Sequence, residues 1–155
     1  MQHEIKIADF NYKLLHNIIP TGKNLLKWNK IDNASCIYCR KYIHDIKHML
    51  WDCSCVYNMW KIIGNALDCV FNFQIIILGK EMFTHVNRVI SLICYLIFKK
   101  YLLDKERIDN NLTPLPMYMK YELTFRLRVY ENIKCIMTET KLIQKIIQML
   151  SSVKW

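Results

Sequence analysis

Apolar residues along the chain recur mainly at steps of three and four, the signature of helices that bury one face. Phe10, Leu14, Leu15, Ile18 and Ile19 keep this rhythm and predict a first helix from Ile5 to Ile19, ended by Pro20 and Gly22. Thr21 is placed to cap a short second helix with Leu25, Leu26 and Trp28 on one face. Asp32 to Ser35 read as a loop, Cys36 to Arg40 as a tight knuckle and Lys41 to Asp45 as a link. Asp45 can cap a helical turn holding His48 and Trp51. A further helix from Cys55 to about Leu67 turns Val56, Trp60 and Ile63 inward.

Val70 to Leu78 is rich in isoleucine and ends at Gly79, which suits a short strand or a buried extended segment. Thr84 to Lys105 predicts a long helix, apolar over much of its surface and therefore central. Asp109-Asn110-Asn111, Pro114 and Pro116 mark a linker. Met117 to about Glu139 predicts a second long helix with Tyr121, Phe125, Val129 and Ile133 about four residues apart, and Lys141 to Leu150 continues it after a bend. The expected fold is mainly α. It consists of a module over residues 1–67 with a small Cys3His knuckle, an apolar segment and long helix over 68–108, and a helical extension over 109–155.

Composition narrows the function. Only 3 Gly and 3 Pro occur, against a turn-rich β fold, and a hydrophobic fraction of 53% supplies a core. The net charge of +9 permits an anionic partner. Each third of the chain carries three more basic than acidic side chains, so no electrostatic arm stands out. No apolar run reaches the ~18 residues of a membrane span. The best candidate, Val89 to Phe98, is bounded by Arg88 and Lys99-Lys100. The N-terminus lacks a signal-peptide pattern, so the expected setting is intracellular.

Seven cysteines in such a setting point to metal or redox chemistry before disulfides. Cys36 and Cys39, followed by His48 and Cys53, give Cys-x2-Cys-x8-His-x4-Cys. Thiolate and imidazole suit tetrahedral zinc, and four protein ligands leave no open position for an activated water. The site is expected to be structural, with one Zn²⁺. Cys55 can replace Cys53 and His44 can replace His48, although the second choice would need a Cys where Met49 stands. Against these stands the ordinary use of Cys as a small buried hydrophobe. A redox Cys-x-x-Cys would sit at a helix start after a strand, a context missing around Asn33-Ala34-Ser35. His3, His16 and His85 have no evident partners in sequence.

Tyr12 to Thr21, Leu25-Leu26-Lys27-Trp28, Cys36-Ile37-Tyr38-Cys39, His48-Met49-Leu50-Trp51-Asp52-Cys53 and Trp60 together resemble the zinc-binding domain that follows the polymerase in non-LTR (LINE-type) retrotransposon reverse transcriptases. The chain departs from the family at Ile46-Lys47, where the family often has Glu just before its His. The resemblance implies an accessory module that binds RNA or single-stranded DNA, with a polymerase core as a second partner, in the nucleus or cytoplasm. It implies neither a membrane nor a small-molecule substrate. Polymerase activity is not expected, since the chain has no Asp-Asp dipeptide to hold magnesium. Candidate nucleic-acid contacts are Tyr38, Arg40, Lys41, Lys47, Lys27 and Lys30: cations meet phosphates and aromatic faces stack bases. The competing reading is a helical protein-interaction module, for which the Tyr121–Ile133 stripe offers a surface, although such a stripe is usually core.

Overall fold

Phe10 and Leu14 lie one turn apart on the inner face of α1 (Gln2–Leu15), where Phe10 packs its ring on Tyr95 and Phe98 at 5.9 and 5.3 Å. In this computed structural model the described residues are 2–79, 84–107, 111–130 and 137–153. Neither Pro20 nor Gly22 ends α1. Asn17 does so in the left-handed region (φ 53°), with Ile18 N–H donating to Lys13 O and Asn17 N–H to Leu14 O. Asn29 (φ 55°) closes α2 (Gly22–Lys27) in the same way. Thr21 caps α2 as expected, accepting the Asn24 N–H at 3.3 Å. The apolar face expected of α2 is not its inner one: Gly22 and Asn24 are buried, while Leu26 and Trp28 are exposed.

Next come the π-turn His48–Asp52 and α3 (Ser54–Leu67), which buries Val56, Trp60 and Ile63 as its spacing requires. The isoleucine-rich stretch forms neither a strand nor an extended segment but a short helix, α4 (Phe73–Leu78). Asn72 caps it through Ile75 N–H at 2.8 Å, and Gly79 (φ 76°) ends it. Among the described residues there is no strand, only an isolated bridge between Ser35 and Ile43.

The central helix has its expected bounds: α5 (Thr84–Lys105) buries a face about 200° wide and packs against α1, α4 and the π-turn. It also meets α6 (Leu115–Tyr130) and α7 (Met137–Ser152), and α7 lies on α3 as well. The helix expected to reach Glu139 is described as far as Tyr130; residues 131–136 lie outside the described set. Nor does α7 prolong α6 after a bend. Its C-terminal Leu150 and Ser151 sit beside Pro116 and Met117 at the start of α6, so the two helices run antiparallel. The buried stripe of α6 is Leu115, Met119, Leu123 and Arg126. Tyr121 and Phe125, expected among the core residues, are 70% and 53% exposed, because two helical positions turn a side chain about 200° around the axis. Arg126 buries its guanidinium over the Tyr95 ring, 5.9 Å from the centroid.

Candidate metal centre

The knuckle is the tip of a miniature hairpin. Cys36 N–H donates to Tyr42 O and His44 N–H to Ala34 O, each at 2.8 Å. Between these limbs Arg40 turns back on Cys36 O (2.9 Å) in the left-handed region at φ 56°. This tight turn aims the backbone N–H groups of Cys39 and Tyr38 at the Cys36 sulfur. Helix α2 abuts the hairpin: Gly22 N–H meets His44 Nδ1 at 3.3 Å and Lys23 N–H meets His44 O at 3.0 Å. A Cβ on Gly22 would stand 2.8 Å from Ala34 O and 3.1 Å from His44 Cβ. Since Ala34 O is backbone and held by His44, Gly22→Ala is expected to cost about 1–3 kcal/mol, the range for overpacking. Urea unfolding of the variant checks this; a change within 0.5 kcal/mol, roughly what a neutral surface substitution gives, would refute it.

The other two candidate ligands come from the wide turn. Asp45 caps it, its carboxylate accepting His48 N–H at 2.8 Å, as the sequence predicts. Five residues at about 100° each would set Cys53 some 140° away from His48 on an α-helix. The chain instead makes a π hydrogen bond, Cys53 N–H to His48 O at 3.1 Å, which widens the turn and brings both side chains to one side. Trp60 locks that turn: its buried indole N–H donates to Leu50 O at 2.7 Å.

Four ligand atoms converge as a result. The Sγ atoms of Cys36, Cys39 and Cys53 and a ring nitrogen of His48 all lie within 4.8 Å of one another. Cys36 and Cys53 Sγ are 4.0 Å apart, and Cys39 Sγ is 3.3 Å from His48 Nε2. Cys36, Cys53 and His48 are buried. The contact with the Cys53 sulfur, helped by the Cys39 and Tyr38 amides and opposed by burial, pulls the Cys36 thiol down to about 4, and the same contact pushes Cys53 up. Three sulfurs, two of them buried, and an imidazole gathered within 4.8 Å are a donor set that fits a divalent cation.

The alternatives considered for the ligands are placed elsewhere. His44 is buried, stacked on Tyr101 (centroids 4.0 Å apart), and serves as the acceptor for Gly22 N–H; burial lowers it to about 4, so the ring is neutral. Cys55 is exposed on the first turn of α3, outside the set of four. His85, without evident partner in sequence, meets Glu139 at 3.2 Å.

Of the candidate nucleic-acid contacts, Arg40, Lys41, Lys27 and Lys30 are exposed and make no ion pair among the described residues, whereas Lys47 pairs with Asp52 at 3.6 Å. Tyr38 lies half-buried beside Arg40, with its hydroxyl turned inward. Its hydroxyl donates to Asp104 at 2.7 Å, and Lys100, which also bonds Asp104, sits over its ring. Burial, reinforced by the Asp104 carboxylate, raises the Tyr38 hydroxyl far above the usual phenol range. Two other aromatics are open: Tyr42 at 65% and Trp28 at 41% exposure. Trp28 reads in sequence as a core residue, and the signal against this is Asn29, which ends α2 one residue later.

Fold and site together define a helical module organised on a Cys3His cluster. Residues 2–60 match the family described as zinc-binding in reverse transcriptase; α4 to α7 lie beyond the match. No curated protein and no solved structure matches the chain. No helix among the described residues is long and apolar enough to cross a membrane.

Proposed function

We propose that the chain is a zinc-stabilised, single-strand-binding accessory module of the kind found in LINE-type reverse transcriptases, without polymerase activity of its own. The observation that carries this reading is the coincidence of the family match with four ligand atoms gathered inside 4.8 Å. Zn²⁺ held by Cys36, Cys39, His48 and Cys53 would fix the knuckle and supply no catalysis, all four positions being taken by protein. Arg40 and Lys41 at the knuckle and Lys27 and Lys30 at the end of α2 then serve phosphates, with Tyr42 and Trp28 offering faces for unpaired bases.

Titrating the zinc-loaded chain into a fluorescent single-stranded RNA at several salt concentrations tests this. Log K should fall linearly with log salt at about −0.7 per phosphate contact, so Arg40→Ala/Lys41→Ala should flatten the slope by roughly 1.4. An unchanged slope and affinity would place the contact surface elsewhere. The protein-docking alternative rests on the exposed Met117, Tyr121 and Phe125, one stripe of α6. It predicts a chain that binds no RNA and whose α6 stripe is covered in a complex with a polymerase core.

A further inference from the structure

A cavity of about 330 Å³ opens beside the knuckle. Ile37 forms one wall, Val56 and Ile97 its buried floor, and Pro114 and Leu115 the opposite wall, just as the chain enters α6. Arg40 stands at its edge, exposed and without an ion pair among the described residues, and Lys41 follows it. The size lies at the small end of ligand sites, roughly 300 Å³ and upward.

Resting on the reading above, we propose that this slot receives one unstacked base of the bound single strand while Arg40 holds the adjoining phosphate. Apolar walls with an unpaired guanidinium at the edge match a flat, weakly polar group that carries an anion one bond chain away. A nucleotide in a single strand is such a group, and its base is free to leave the strand. Specificity should be slight. The Tyr38 hydroxyl beside the slot is committed to Asp104, which leaves, besides Arg40, the Thr113 hydroxyl and the Cys55 thiol as polar side chains at its margin. The walls therefore select for the presence of a base more than for its identity. The hydrogen bond from Tyr38 to Asp104 ties the segment bearing Ile37 to α5, the helix that carries Ile97.

The experiment compares a 12-mer of oligo(dT) with a 12-mer of abasic deoxyribose phosphate, which has the same charge and no bases, on the zinc-loaded full chain. The wild type should prefer oligo(dT) on the order of tenfold, within the range for one base contact. Thr113→Met, which fills the mouth from an exposed position without adding a stacking face, should cut that preference severalfold, leaving the share of Tyr42 and Trp28, at an unchanged salt slope. As a measurement on the unaltered chain, N-ethylmaleimide labelling of Cys55, resolved by fragmentation mass spectrometry, should slow with oligo(dT) and not with the abasic strand. A Thr113→Met variant that keeps the full preference, or equal labelling of Cys55 with both strands, overturns the slot and leaves strand binding standing. Binding of neither strand overturns both. Protection of Cys55 by an acidic leucine-rich peptide, and not by oligo(dT), would assign the slot to a protein segment and overturn the proposal.

Discussion

One equivalent of zinc per chain is the expected content of freshly purified, reduced protein, and Cys36→Ser is expected to lose both the metal and the cooperative fold of the first sixty residues. Structural zinc in small modules contributes about 10–16 kcal/mol at neutral pH, whereas whole domains are stable by only about 5–15 kcal/mol. Losing the ion therefore exceeds what the surrounding core can offset. Phe10, Leu50, Met59 and Trp60 pack the neighbourhood, while the hairpin and the wide turn each supply two of the four candidate ligand side chains. Atomic absorption reads the metal and near-ultraviolet dichroism reads the packing of Trp60. Chelation should reproduce the variant, and Cys55→Ser should retain the ion. Acid should act in the same direction, because each thiolate and the imidazole must be free of its proton to bind. A Cys36→Ser chain that keeps a full equivalent, or melts with the wild type, would end the proposal of a structural metal.

The second large effect lies away from the cluster. Lys100 and Asp104 form an ion pair one turn apart on α5, with side chains only 3% and 5% exposed, and the Tyr38 hydroxyl shares the carboxylate. Removing one member of such a pair leaves a buried charge uncompensated, at about 3–5 kcal/mol. Asp104→Leu should therefore destabilise strongly in urea titrations, since Lys100 would keep only the faces of the Tyr38 and Tyr118 rings at 5.5 and 5.6 Å. Lys100→Met/Asp104→Leu/Tyr38→Phe should recover most of the loss, because matched apolar groups need no partner and no Tyr38 hydroxyl is left unpaired. Tyr38→Phe should cost about 1 kcal/mol, the ordinary value of one hydrogen bond. If Asp104→Leu alone stays within 1 kcal/mol of the wild type, the pair is not the anchor described.

Which of these features could be read in advance follows from how local their causes are. The caps at Thr21 and Asp45, the inward face of α3 and the limits of α5 depend on residues within one or two turns, and they stand where the sequence puts them. The four candidate ligands were legible from spacing, but the reason they meet was not. An α-helical reading sends Cys53 away from His48, and only the π hydrogen bond, braced by Trp60, reconciles the two. The first helix stops at Asn17, ahead of the Pro20 and Gly22 that its sequence offers as stops, because Asn also tolerates the left-handed conformation. Asn72 and Gly79 likewise frame a six-residue helix too short to show a period. The α6 stripe failed for another reason. Its buried side is chosen by α5 and α7, so Met119 and Leu123 go in and the larger Tyr121 and Phe125 stay out. Tyr38 shows the same limit, because its partner is remote in sequence.

That remoteness sets an order of events at the ribosome. Tyr38 is polymerised 66 residues ahead of Asp104. All four metal-ligand candidates, the last of them Cys53, are polymerised before the central helix begins at Thr84. A nascent chain can thus close its knuckle early, with the phenol still in water, and only later does the arriving carboxylate draw it inward and fix its bearing.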